Sequence, residues 1–260
     1  MNFPLLAART AGALLTLFTL AGGLSAQAQA QAPAPSTAAD VQLRIESGQH
    51  AGVVRRLALS PDERRLVTVG DDKTARVWSV PDQTLQAVLR VPIGAGEAGR
   101  LYGAAFSPDG REIVVGGSLA GAPGGSRLYF FDAASGRALR SVSIAAGDIK
   151  RLVWLKSPEA IAACSASPAM LTLISRDGRP LLADRFEAPC YGLAAHPDGS
   201  LFAATFDGRV RRYAARDRAA WQATGGFATE IRDPQSLAVS PDGRHVAVGY
   251  FSRLDARSVA

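Results

Sequence analysis

Lysine is almost missing from this chain: Lys73, Lys150 and Lys156 are the whole supply. The rest of the formal net charge of +6 comes from arginine, dispersed in pairs such as Arg55-Arg56, Arg64-Arg65 and Arg211-Arg212. No basic run reaches five residues, so the charge solvates exposed faces and nucleic acid is not an expected partner. Histidine is scarce too. His50, His196 and His245 form neither an HExxH helix nor a metal-ligand spacing with acids, and no acid, base or nucleophile set converges, so the chain is expected to be a non-enzyme. After residue 40 there is no segment of helical period and no apolar run long enough to cross a bilayer, which excludes a stable membrane insertion of the mature chain.

The first thirty residues are of another kind. Arg9 precedes an apolar stretch, Ala11 to Leu24, too short for a mature span, and Ala26, Ala28 and Ala30 supply small-residue cleavage sites. Residues 1–30 are therefore expected to be a Sec-type signal peptide, and residues 31–40, rich in Pro, Ala and Gln, a linker. With no Cys near the junction, the expected product is periplasmic or secreted without a lipid anchor. Export also bears on the two cysteines, Cys164 and Cys190. They are read as two buried thiols, with a disulfide between adjacent modules as the alternative.

What the sequence has in abundance is a turn. Ser60-Pro61-Asp62 returns as SPDG at Ser107, HPDG at His196 and SPDG at Ser240, and a degenerate copy stands at Lys156 to Glu159. From Pro61 to Pro241 there are 180 residues in four intervals, a mean of 45, the period of a four-stranded propeller blade. Around each turn, short segments alternate as strands: Val53 to Leu59, Arg65 to Val69, Thr74 to Val80 and Leu85 to Val91 in the first module. The expected class is all-β, with modules at 41–92, 93–145, 146–186, 187–224 and, in part, 225–260. GAGEAG, Gly94 to Gly99, matches a dinucleotide fingerprint but runs into a strand instead of a helix, so it is read as a crossover, and no cofactor or metal is expected.

GQH at Gly48 to His50, GDDKTARVW at Gly70 to Trp78 and the PDG turns resemble WD40 repeats, with Ser79 in place of the usual Asp after Trp. The run Ile45 to Gly117 is similar to the N-terminal propeller of secreted bacterial WD40 proteins, some of which carry a caspase-like peptidase domain downstream. The resemblance implies a β-propeller of about five four-stranded blades. It also implies a structural network in the first blade, made of His50, Thr68, Asp72 and Trp78. Val41 to Ser47 would be the outer strand that closes the ring onto the last blade. Five modules in residues 41–260 fall short of the roughly 300 residues of seven blades, so a longer reading frame and an incomplete ring are expected, with edge-mediated self-association.

One column, compared across the modules, carries the candidate site. Arg55, Tyr102, Lys150, Tyr191 and Gln235 occupy equivalent positions near the start of each innermost strand, followed by Arg56, Gly103, Arg151, Gly192 and Ser236. Cationic and tyrosyl side chains at a channel mouth suit an acidic or aromatic segment of a protein partner, and the loop Gly116 to Ser126 is placed on the same face. The function expected is that of an exported, non-catalytic interaction scaffold. Two alternatives remain: the regulatory propeller of a caspase-like peptidase whose catalytic domain is absent from this chain, and a small-molecule or glycan-binding propeller.

Overall fold

In the computed structural model the described residues are 46–118, 126–216, 220–250 and 254–258. Residues 1–40, where a signal peptide and linker are expected, and Val41 to Ile45 lie outside them; Glu46 and Ser47, the rest of the expected closing strand, are not in a strand. Residues 119–125 of the glycine-rich loop also lie outside the described residues; the loop's flanks Gly116–Ser118 and Ser126 belong to strands.

The described chain is all-β and makes five antiparallel sheets in sequence order. The first comprises β1 (Val54–Leu59), β2 (Arg65–Gly70), β3 (Thr74–Ser79) and β4 (Leu85–Arg90). The second holds β5 (Arg100–Phe106), β6 (Glu112–Ser118), β7 (Ser126–Asp132) and β8 (Ala138–Ile144), the third β9 (Ile149–Lys156), β10 (Glu159–Ala166), β11 (Ala169–Ile174) and β12 (Pro180–Arg185). The fourth holds β13 (Cys190–Ala195), β14 (Leu201–Thr205), β15 (Arg209–Ala215) and β16 (Trp221–Ala228). In the fifth, β17 (Ser236–Val239), β18 (His245–Gly249) and β19 (Leu254–Ser258) make three strands. The fourth sheet runs past the boundary expected at residue 224. Its outer strand carries Gly225 and Gly226 and exposes most of its length, so it lacks the alternation by which a strand is recognised in sequence.

The repeated turn explains why these segments fold back where they do. Ser60 Oγ donates to Asp62 Oδ1 (2.5 Å) and accepts from the Arg65 amide (2.9 Å), while the Arg64 amide donates to the same carboxylate (3.2 Å). Ser107 with Asp109 and Ser240 with Asp242 repeat the set. The closing residue takes a positive φ: Gly110 at 69°, Gly199 at 89° and Gly243 at 73°, but Glu63 at 58° in the first turn. Turns of neighbouring modules also join. Arg65 donates to the Gly110 carbonyl (2.9 Å), and His196 Nε2 to the Gly243 carbonyl (2.8 Å).

No sheet buries its apolar face alone. One hydrophobic core fills each junction: Val67, Val77 and Leu89 with Leu101, Phe106 and Ile113 between the first two sheets, and three similar clusters follow down the array. The first strands stack side by side, β1 on β5, β5 on β9, β9 on β13 and β13 on β17, which is how blades fan around an axis. Among the described residues no comparable contact returns from β17 to β1, and no closed ring forms. The outer face of β1 shows the result. Leu57 is 66 % exposed, whereas Leu152 and Leu193, at the equivalent position of the third and fourth sheets, are 5 % and 2 % exposed.

Candidate functional site

The candidate column is marked by a defect that recurs four times. In the pairing of β1 with β2, Val54 faces Gly70 and Arg56 faces Val69, so Arg55 is skipped. Tyr102 is skipped between β5 and β6, Lys150 between β9 and β10, and Tyr191 between β13 and β14. A β-bulge removes one residue from the alternation and re-aims its side chain. Gln235 stands just before β17, where its amide donates to the Gly249 carbonyl (2.7 Å). All five expected residues line one cavity of about 350 Å³, together with Arg56, Glu97 and Arg100.

Within this mouth the charges are arranged around aromatic rings. Arg55 grips Asp71 through two bonds, Nε to Oδ1 (2.9 Å) and Nη2 to Oδ2 (2.6 Å), and its Cζ lies 5.9 Å from the Tyr102 ring centroid. Lys150 Nζ stands 4.5 Å over the same ring and 3.5 Å from Asp148. Tyr191 stacks on Phe206 with centroids 4.5 Å apart. The hydrogen bond to Asp71 raises the pKa of Arg55, and the same bond holds the Asp71 carboxyl below the usual range. Burial, followed by the Glu97 charge, pushes the Tyr102 phenol up, so it stays a neutral hydrogen-bonding group. Glu97 and Arg100, an ion pair at 2.8 Å, were missed by strand comparison because Glu97 sits in the GAGEAG segment and Arg100 opens β5. That segment is a turn, with the Gly94 amide bonded to the Ala98 carbonyl (3.1 Å), and it contributes to the mouth as well as crossing between sheets.

The four network residues are brought together in the first sheet. His50 Nδ1 donates to Asp72 Oδ2 (2.8 Å), Thr68 Oγ1 lies 2.8 Å from His50 Nε2, and the Trp78 indole donates to Thr68 Oγ1 (2.8 Å). Thr68 Oγ1 thus bridges the Trp78 indole N–H and the His50 ring, joining β3 to the segment before β1. Burial opposes ionisation of Asp72, yet bonds from Thr74 and His50 outweigh it and lower its pKa. Sequence comparison missed Arg76 beside this network. Its side chain is buried and donates to Glu46 Oε1 (2.6 Å).

Cys164 in β10 and Cys190 in β13 are joined as a disulfide, with Cα atoms 5.4 Å apart, instead of standing as two free thiols. The bulge at Tyr191 and the stacking of β9 on β13 bring the two positions within reach, a proximity that strand assignments alone do not measure. The bridge ties the third sheet to the fourth across 26 residues, a constraint on the unfolded chain of about 2–4 kcal/mol. His196 is held in its turn, Nδ1 2.6 Å from Asp198, and His245 begins β18. Among the described residues no three His, Cys, Asp or Glu side chains gather as a metal site, and no helix is long and apolar enough to cross a membrane.

Residues 42–79 match the family model described as WD domain, G-beta repeat. The match spans β1 to β3 and includes His50, Thr68, Asp72 and Trp78. No curated protein matches the chain. The matched repeat and the series of four-stranded antiparallel sheets support a WD40-like propeller, a fold that commonly binds protein partners.

Proposed function

We propose that this chain is an exported, non-catalytic propeller whose channel mouth captures an acidic, aromatic-bearing segment of a protein partner. The observation that carries the reading is the bulge repeated at Arg55, Tyr102, Lys150 and Tyr191, which directs four recognition side chains into one cavity at the ends of rigid strands. Arg and Tyr are the residue types that dominate binding hot spots, and a guanidinium and an ammonium over one tyrosine favour negative or π-rich groups. Export is supported by the leader-like first thirty residues and by a disulfide, which persists in an oxidising compartment.

The experiment is fluorescence anisotropy with a labelled peptide of alternating Glu and Tyr. Binding should weaken as salt rises, and the double variant Arg55→Glu, Lys150→Glu should weaken it about a hundredfold. Equal affinity of variant and wild type would end this reading. The exposed outer face of β1, with Leu57 and Leu59, supports a second role as the surface through which the open array associates with another copy.

A further inference from the structure

Beside the mouth lies a second cavity of about 320 Å³, lined by Leu57, Phe106, Leu152 and Trp154 together with Arg56 and Arg151. Arg56 lines both cavities, so they adjoin along the inner strands. The cations of the mouth each have a carboxylate: Arg55 has Asp71, Arg100 has Glu97 and Lys150 has Asp148. The inner pair has none among the described residues. Among the described residues, Arg56 gives one N–H to the Arg55 carbonyl (2.8 Å) and leaves Nε buried without a partner, while Arg151 has no hydrogen-bond or ion-pair partner. The same position of the second and fourth sheets is Gly103 and Gly192, which add no side chain that could answer the charge.

Burial, followed by the Arg55 charge, lowers the pKa of Arg56; burial, followed by the Arg56 charge, brings Arg151 down to about 10, still well above neutral pH. Two like charges held near each other against apolar walls destabilise a fold unless an opposite charge arrives. A guanidinium offers a planar fork of donors matched to carboxylate and phosphate oxygens, and two arginines line this one cavity.

We propose that Arg56 and Arg151 form an anion site inside the channel that takes a single oxyanion between them. The oxyanion has two sources, a carboxylate at the tip of an acidic segment threaded through the mouth, which rests on the function proposed above, or a free small anion, which does not.

The test compares wild type with Arg56→Met and Arg151→Met, which keep the apolar stem. Melting is followed in phosphate and in succinate against chloride of equal ionic strength, and affinity is measured for the Glu-Tyr peptide. In chloride each variant should melt at or above wild type, because a repulsion has been removed. For a free anion, phosphate or succinate raises the wild-type melting temperature beyond chloride, and neither variant responds. For a threaded side chain, the melting shift is absent while each variant binds the peptide about ten- to a hundredfold more weakly. Variants that melt lower in chloride, yet respond to anions and peptide as wild type does, would show the arginines to be structural and overturn the site. Should the variants fail to fold, the wild type decides: the site falls if phosphate does not shift its melting beyond matched chloride and a Gln-Tyr peptide binds it as tightly as the Glu-Tyr peptide. If Arg55→Glu, Lys150→Glu leaves peptide affinity intact while Arg56→Met abolishes the phosphate response, the mouth reading fails and this site stands.

Discussion

The first sheet and the third are built to one plan and held together by different means. The third is enclosed: Leu152 and Trp154 pack against the second sheet, and Leu155 and Cys164 against the fourth, with the disulfide added. Among the described residues the first has a neighbouring sheet on one side only. Its inner layer, Val67 and Val77, is buried on the second sheet, while Leu57 and Leu59 face outward. Where the third sheet relies on contact from both flanks, the first carries the imidazole, carboxylate, hydroxyl and indole chain that links its strands to one another. In a stacked array, stability at an end comes from within the module and stability in the middle from its interfaces.

The widest separation between the two should come from Leu152→Ala and Leu57→Ala. The first empties a site enclosed between sheets and should cost about 2–5 kcal/mol. The second should stay within about 0.5 kcal/mol and should also lower self-association. Denaturant titration and sedimentation measure both; equal losses would mean that the outer face of β1 is covered in solution. Next in size is His50→Ala, which strands the Asp72 carboxylate and the Thr68 hydroxyl and should cost about 1–3 kcal/mol in thermal unfolding with peptide binding unchanged. An unaltered melting curve would remove the network from the account of the first sheet. Smallest is Glu63→Gly, which gives the first turn the residue its counterparts use at positive φ and should raise stability by up to about 1 kcal/mol. A loss instead would show that the Glu63 side chain does something the turn geometry does not require.

The parts of this fold that could be read in sequence are those repeated in register. The turns at Pro61, Pro108, Pro197 and Pro241 set the phase, and alternation placed the inner strands to within a residue or two, as at β1 and β13. Comparing columns was enough to collect Arg55, Tyr102, Lys150, Tyr191 and Gln235, since residues equivalent along the chain become neighbours around an axis. What escaped lies where the repeat is broken. The outer strand β16 has glycines in place of alternating side chains, Glu97 stands in an irregular turn, and the Cys164–Cys190 bond depends on a distance between sheets. The pairing of Arg76 with Glu46 escaped too, being a contact specific to one module.

The bulges at the channel mouth carry one more consequence. A residue left out of the ladder has no cross-strand partner to match, so its identity is set by its neighbours at the opening, as Asp71 is for Arg55 and Phe206 for Tyr191. Arg, Tyr, Lys and Tyr occupy the same backbone shape with the same sheet behind each. On the proposed function, recognition and folding are thereby written in separate positions, and exchanging these four side chains would give the mouth a new specificity while every strand keeps its pairing.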